Sequence, residues 1–466
     1  MQSVREIVEN LKKIGVEEIV DDTRKITPNS AFFCSSKAKE MGYDIQARKL
    51  GAKSVIQVSQ SIEEGFMNLE SWQKFVAVLQ EFYGEINAKM FAITGTNGKT
   101  STVHFASSLC SLIGEKSASI GTNGICVYEN GSVVLQEKTG LTTPTCVQNH
   151  LAIFRLQKSG VKFIFMEASS IGIEQGRLDG IEFDASCFSN FTQDHLDYHH
   201  TMEEYFKQKL RLFSEFTKKD GVCILNSSDV KSEEITKICK NIALNNLIFF
   251  GKNDNILQSF TQNLEGFLLN FGKIHAQFYA SGNFQVLNLM SAVHSLLFFG
   301  FKIEQIALQI PKLSPPEGRM QTVKIGQKTF VIDYAHTPDA LENVLKNIAG
   351  NKICVFGCGG NRDSAKRKIM GQIASKFANF VIITNDNPRF ENPQDIASEI
   401  FSGISQSFFD NTKIILDRKE AILFAEKICK NGETVVIAGK GSEDYQEISG
   451  TKFPFSDIEI VKFLMK

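Results

Sequence analysis

Phe91-Ala-Ile-Thr-Gly-Thr-Asn-Gly-Lys99-Thr100-Ser101 is the stretch from which the rest of the chain can be read. An apolar run ends in two glycines, passes through Lys-Thr-Ser, and enters a helical pattern predicted to begin near Thr102. Gly95 and Gly98 let the backbone turn tightly, so that successive N–H groups and a helix N-terminus point at phosphate oxygens. Lys99 adds a cation, and the Thr100 hydroxyl can reach Mg²⁺. The expected ligand is a nucleoside triphosphate. The spacing departs from the common GxxxxGK[ST] pattern, because the position five before Gly98 is Ile93.

Outward from this turn, short apolar or β-branched runs alternate with helical patterns, as in parallel α/β sheets. Strands are predicted at Phe91–Thr94, Phe163–Glu167, Ala185–Ser189, Val222–Leu225, Thr329–Asp333, Lys352–Phe356, Phe380–Thr384 and Thr434–Ala438. Most are followed by Gly, Asn or Asp and then a helix. Active sites in such sheets gather beyond the carboxyl ends of the strands, where the unusual residues of this chain also fall. A length of 466 residues exceeds one ordinary hydrophobic core. Boundaries are expected near Ile86–Ala88 and at Ser314-Pro315-Pro316-Glu317-Gly318, which divides the chain into 1–87, 88–316 and 317–466.

Composition narrows the partners. With 42% hydrophobic and 22% charged residues the chain reads as globular throughout. Lys plus Arg (51) balance Asp plus Glu (52), so neither a nucleic acid nor an anionic membrane is expected as partner. The N-terminal segment reads as an amphipathic helix, without the apolar core of a signal peptide or a membrane span, and the expected compartment is the cytoplasm. Ten cysteines without a CxxC pair are expected to be reduced and mostly buried. The nearest pair in sequence, Cys354 and Cys358, reads as core thiols in a strand and its following turn.

A carboxylate and an imidazole end two of the predicted strands: Glu167 before Ala-Ser169-Ser170, and His195 within Asn190-Phe-Thr-Gln-Asp194-His195-Leu-Asp197-Tyr-His199. Placed at neighbouring strand ends, they could share a metal ion with nucleotide phosphates. Thr201-Met-Glu-Glu204 has capping-box spacing and predicts a helix with an apolar stripe of Met202, Tyr205, Phe206, Leu210, Phe213 and Phe216. Lys209 falls inside that stripe. A lysine there can snorkel to water, but a buried one loses its charge, and a neutral amine can take up carbon dioxide as an anionic carbamate able to ligate a metal.

TGTNGKTS, MEASS with QGR, NFTQDHLDYH and the lysine fourteen residues after His195 together resemble the Mur ligase family. Further segments match in the family's order: Gly282-Asn283-Phe-Gln-Val-Leu-Asn288, Gly318-Arg319-Met320, Asp333-Tyr-Ala-His336-Thr-Pro-Asp339 and Gly439-Lys-Gly-Ser-Glu443-Asp-Tyr-Gln. The resemblance implies an α/β fold of three domains, with a central P-loop ATPase-like parallel sheet and a C-terminal Rossmann-like domain. It implies an ATP site at Gly95, Thr96, Asn97, Gly98, Lys99, Thr100 and Ser101, joined by Asn288, Asp333 and His336. Lys99, Glu167, His195, Lys209 and Arg319 would be catalytic, with Mg²⁺ held by Thr100, Glu167, His195 and carbamylated Lys209. Such enzymes join an amino acid to a carboxylate through an acyl phosphate.

Thr23, Thr142, Thr143, Ser169, Gln175 and Arg177 are similar to positions that hold UDP-N-acetylmuramoyl-L-alanyl-D-glutamate in members acting at the third step of peptidoglycan precursor synthesis. Asp386-Asn387-Pro388-Arg389 resembles the motif of members adding meso-diaminopimelate rather than lysine. The chemistry agrees, since a second carboxylate calls for a guanidinium that would repel lysine's ammonium. Arg362, Gly439 and Glu443 are similar to the other contacts of that amino acid, Glu443 being suited to an ammonium. A monomer is expected. Ile171 stands where many relatives have histidine, and Ser442 where Gly-Lys-Gly-His-Glu is usual. Rival readings are a lysine-adding or folylpolyglutamate-forming ligase of the same fold, or a nucleotide-binding regulator without ligation.

Overall fold

The computed structural model describes residues 2–60, 65–244, 246–263 and 265–465. All eight predicted strands form, three of them with the expected ends and the others with at least one end shifted by one to five residues. The central sheet has eight strands in the order Leu247–Phe250, Thr217–Asn226, Phe183–Phe188, Lys89–Thr94, Phe163–Glu167, Ser117–Gly121, Gly124–Glu129, Ser132–Glu137. The first six are parallel and the last two run antiparallel. Parallel strands are covered on both faces and so read as unbroken apolar runs. Lys89–Thr94 illustrates this: Phe91 and Ile93 enter one core with helices Lys99–Leu112 and Asn283–Phe298, while Met90 and Ala92 enter another with helices Cys146–Lys158 and Met202–Glu215.

Residues before this sheet build a smaller parallel one, Glu18–Val20, Ser30–Phe33, Ser54–Val58 and Met67–Leu69 in sequential order. Helix Val4–Lys13 has the expected amphipathic character, with Ile7, Val8 and Leu11 buried and a Ser3/Glu6 capping box at its start. Helix Cys146–Lys158 joins two cores, since Cys146, Val147 and Leu151 pack with the N-terminal part and Ala152, Ile153 and Leu156 with the central one. A three-stranded antiparallel sheet, Ser259–Asn263, Gly266–Asn270 and His275–Phe278, closes over helix Lys99–Leu112 through Phe278 packing on Phe105.

The C-terminal sheet runs Gln321–Ile325, Lys328–Asp333, Thr434–Ala438, Lys352–Phe356, Phe380–Ile383, Thr412–Ile414, parallel after its first hairpin. A last hairpin, Tyr445–Ile448 with Thr451–Pro454, stands apart from it. All ten cysteines are free and buried. The close pair in space is Cys223 with Cys239, Sγ to Sγ 3.6 Å, rather than Cys354 with Cys358. No described helix is long and apolar enough to cross a membrane.

Two expectations need correction. The helix after the glycine turn begins at Lys99, not near Thr102, because left-handed Gly98 (φ +88°) leads straight into it. In helix Met202–Glu215, Leu212 is fully buried while Met202 and Leu210 are only partly so, which turns the stripe slightly. Its predicted start holds: the Thr201 hydroxyl accepts from Glu204 N at 3.1 Å. Thr201→Ala should therefore lower unfolding free energy by about 1 kcal/mol in a urea titration, with an unchanged slope.

Candidate active site

Glu167 is the last residue of its strand, and the parallel register Ile93↔Glu167 sets it beside the glycine turn. The turn is held from the other side by the end of strand Phe183–Phe188. Thr96 N donates to Asn190 O and Asn97 N to Asn190 Oδ1, both at 2.9 Å, and the Ser189 hydroxyl donates to Asn97 O at 2.7 Å. These bonds consume the Thr96 and Asn97 amides. The donors left for phosphate are therefore those of Gly98, Lys99 and Thr100 at the helix start, which have no intrahelical partner. A side chain at Gly95 (φ +147°) would collide with Ser189, and one at Gly98 with Asn288.

Two lysines meet at a single oxygen. Lys99 Nζ donates to Gly95 O at 2.8 Å and to Thr96 O at 2.9 Å, and Lys209 Nζ donates to the same Gly95 O at 2.9 Å. Lys209 is 1% exposed and lies 4.4 Å above the Tyr205 ring. Burial and the neighbouring Lys99 charge push its pKa well below the ordinary lysine range, only partly offset by Asp194. Burial also lowers Lys99, which Glu167 and Asp194 counteract. The neutral amine demanded by carbamate chemistry is thus favoured at Lys209.

Glu167, itself 1% exposed, accepts from Thr100 Oγ1 at 3.1 Å, Thr122 N at 2.8 Å and Thr122 Oγ1 at 3.2 Å. Arg319 stacks 4.3 Å from the Tyr334 ring and donates from Nη2 to Thr100 Oγ1 at 3.1 Å. Thr100 and Glu167 form a pair of hard oxygen donors suited to Mg²⁺, which keeps several waters and also takes phosphate oxygens. Among the described residues no group of three or more His, Cys, Asp or Glu side chains is arranged to hold a metal ion. His195 instead faces Asp194, with Nε2 3.4 Å from Oδ2, and feels the charges of Lys209 and Lys99. Asp194 Oδ2 also lies 3.6 Å from His336 Nε2 across the cleft. Although Asp194 is buried, His195, His336 and Lys366 hold its carboxyl well below the usual range.

Between the central and C-terminal parts lies an open cleft lined by Asn97, Gly98, Ser101, Asn288, Arg319, Asp333 and His336, with Phe284 and Val344 as apolar walls. Burial raises the Asp333 pKa, yet its Oδ2 accepts from Met320 N at 2.7 Å and so fixes the loop carrying Arg319. The two parts are clasped around the cleft by Asn97 Nδ2 to Asp339 Oδ2 (3.0 Å), Gln193 Nε2 to Asp363 Oδ2 (3.1 Å) and Ser442 Oγ to Asn123 Oδ1 (3.3 Å).

On the other side of Glu167, five of the six residues read as holding the UDP substrate form one network. Thr142 Oγ1 accepts from Thr122 Oγ1 at 3.2 Å; Thr143 Oγ1 donates to Glu167 O at 2.8 Å and lies 2.9 Å from Ser169 Oγ. Arg177 donates to Thr143 O at 2.7 Å and, with Nη2, to Gln175 Oε1 at 2.6 Å. Thr23 is outside this network, on a short turn capped by Asp22, which approaches the central part through Lys25 Nζ to Glu137 Oε1 at 2.7 Å.

The residues read as the amino-acid site also cluster. Asn387 Nδ2 donates to Glu443 Oε2 at 3.0 Å, and a side chain at Gly439 would press on Asp386 Oδ2, an oxygen with no hydrogen-bond partner among the described residues. Arg389 Nη1 donates to Gly360 O at 2.8 Å, while half-exposed Arg362 lies 3.6 Å from Asp197. Lys440, unmarked by the sequence reading and 0% exposed, donates to Asn387 Oδ1 and Glu443 Oε2, both at 3.0 Å. Thr122, Asp194 and Glu447 were also missed. Asp194 and Lys440 lay inside quoted motifs without being singled out, whereas an isolated threonine after a strand carries no local signal.

His104, on the same helix as Lys99, ties the central part to the segment that leads into the C-terminal part. Ser314 O can only accept, so Nε2 donates to it at 3.0 Å and Nδ1 accepts from the Tyr128 hydroxyl at 3.1 Å. Burial pushes His104 down to about 4, and His195 likewise to about 4. Unfolded histidine titrates near about 6.5, so below that pH the unfolded chain binds protons that the folded one refuses. Stability should be full above this value and fall as pH drops toward 4. Thermal unfolding at pH 7 and 4.5 should show a smaller drop for His104→Gln than for the parent, and equal drops would contradict the assignment.

The family description Mur ligase middle domain matches residues 93–296, and Mur ligase, glutamate ligase domain, matches residues 318–441. A UDP-N-acetylmuramoyl-L-alanyl-D-glutamate–2,6-diaminopimelate ligase of Rickettsia bellii (strain RML369-C) is 37% identical over 96% of each chain. A solved structure bearing that same enzyme name, 32% identical, aligns over 97% of this chain and 94% of its own with a TM-score of 0.63. The MurF ligase of Thermotoga maritima in complex with ADP, only 14% identical, shares the fold with a TM-score of 0.69 over 100% of this chain and 98% of its own.

Proposed function

The chain belongs to the Mur ligase family, and from that premise we propose that it joins meso-diaminopimelate to the D-glutamyl side-chain carboxylate of UDP-N-acetylmuramoyl-L-alanyl-D-glutamate, cleaving ATP to ADP and phosphate. The observation that carries this reading is a convergence on two atoms of the glycine turn and its helix. Lys99 and Lys209 meet at Gly95 O, and Arg319 and Glu167 meet at Thr100 Oγ1.

In the reaction, a glutamyl carboxylate oxygen attacks the γ-phosphorus of ATP, the bond to the β-phosphate oxygen breaks, and an acyl phosphate forms. The amine of diaminopimelate then attacks the acyl carbon, passes through a tetrahedral intermediate, loses a proton and expels phosphate. Phosphoryl transfer needs positioning and neutralised charge more than covalent help. The helix-start amides and Lys99 grip the terminal phosphates, and Arg319 reaches them from the C-terminal part as it closes. Mg²⁺, held by Thr100 and Glu167, would neutralise phosphate charge. Lys209, taking up CO₂ with loss of a proton, would supply an anionic oxygen donor alongside His195.

Arg177 and its Thr143, Ser169 and Gln175 neighbours would hold the dipeptide end of the UDP substrate, with Thr23 nearer the nucleotide. Arg389, Glu443, Asp386, Asn387 and Arg362 would hold the amino acid. Residues 1–87, 88–316 and 317–466 would act as UDP-substrate, ATP and amino-acid domains of a cytoplasmic monomer. Domain closure excludes water, which otherwise hydrolyses the acyl phosphate. The test is purified protein with ATP, the UDP-dipeptide and either amino acid: diaminopimelate should release phosphate and lysine should not, and the reverse would overturn the specificity.

A further inference from the structure

Arg389 is held in an unusual way for a residue that must meet a ligand. Its backbone sits at φ +52°, a left-handed conformation that costs an arginine strain and persists only when its surroundings impose it. The C-terminal hairpin imposes it here: Arg389 N donates to Glu447 O at 3.0 Å, and Ser449 N donates to Arg389 O at 2.7 Å. The hairpin is docked by two further bonds, Glu447 N to Asn387 Oδ1 and Gln446 Nε2 to Asp386 O, each 2.9 Å.

The side chain is anchored by the same strand. Arg389 Nε lies 3.3 Å from Glu447 Oε2 and Nη1 donates to Gly360 O, while Nη2 has no partner among the described residues. The two side chains are 19% and 22% exposed. Glu447 thus sits against the inner, Nε side of the guanidinium and leaves Nη2 for a charge-assisted contact with a carboxylate. It also compensates the arginine's charge while no ligand is bound, which an isolated, mostly buried guanidinium would lack.

We propose that Glu447 is a positioning residue that aims Arg389 at the second carboxylate of the incoming diamino acid, a role that rests on reading Asp386–Arg389 as part of the amino-acid site. Without it the guanidinium must be ordered by the ligand at each binding event. Steady-state kinetics of the full chain with ATP, the UDP-dipeptide and diaminopimelate test this. Glu447→Ala should raise the KM for diaminopimelate about tenfold, the cost of removing a close, partly buried ion-pair partner, with smaller effects on kcat and on the KM for ATP. Glu447→Gln keeps the bulk of the side chain and loses its charge, so its KM should fall between those of Glu447→Ala and the parent. In an Arg389→Ala background, Glu447→Ala should add nothing.

An unchanged KM in Glu447→Ala, an equal further loss in the Arg389→Ala background, or a parallel rise in the KM for ATP would overturn the proposal. Parent protein inert with diaminopimelate would instead sink the amino-acid reading itself, a result distinct from an active parent with an indifferent Glu447→Ala variant.

Discussion

Lys209→Arg should lower kcat about 10³-fold if Lys209 acts as the proposed carbamate, because an arginine stays cationic and cannot take up CO₂, which would invert the charge that the carbamate supplies to phosphoryl transfer. The position offers no escape to water, since the side chain is 1% exposed and shares Gly95 O with Lys99. A second buried cation there would repel Lys99 as well as lose the donor. Lys209→Ala removes the bulk instead, and separates the roles. If the working group is an anionic carbamate, short carboxylates such as acetate should restore part of the activity of Lys209→Ala, whereas ethylamine should not. Rescue by the amine alone would show that the ammonium matters.

Arg389→Ala should raise the KM for diaminopimelate by about 10²-fold or more, the usual cost of leaving a buried charge without its partner, and leave ADP binding intact. Arg389 sits beyond the C-terminal sheet, and the lysines, Thr100 and Glu167 are on the central part, so the two functions should separate in kinetics. Loss of ADP binding together with diaminopimelate use would mean that the substitution disturbs closure of the whole cleft rather than one recognition contact.

The sequence made the parallel sheets legible because their strands are long, doubly buried and punctuated by glycine or a polar residue. Phe163–Glu167 and Lys352–Phe356 match the prediction at both ends. Nothing comparable marked the N-terminal sheet, whose strands of three to five residues carry little periodicity, as in Glu18–Val20. The antiparallel pair Gly124–Glu129 and Ser132–Glu137 was also invisible, since the second strand is exposed at the sheet edge and its register is set by tertiary pairing. The phosphate turn was read from the order of its glycines, lysine and threonine after an apolar run, but which amides remain for a ligand was not, because Asn190 lies about ninety residues away and takes two of them.

Single residues were legible only where a motif surrounded them. Lys209 stood out as a cation in an apolar stripe, and its burial bears directly on its chemistry. Glu447, by contrast, acquires meaning only from the hairpin that folds back onto Asn387 and Arg389, and Lys440, though inside a quoted motif, only from its bonds to Asn387 and Glu443. Thr122 caps Glu167 from a neighbouring strand end, a relation that no linear spacing encodes.

Oxygen tracing tests the chemistry most directly. With ¹⁸O in the glutamyl side-chain carboxylate of the UDP-dipeptide, ATP and diaminopimelate, activation at the γ-phosphate predicts one ¹⁸O carried into the released inorganic phosphate for each peptide bond formed. Phosphate free of label, with product still forming, would contradict an acyl phosphate built at the Gly95–Thr100 turn.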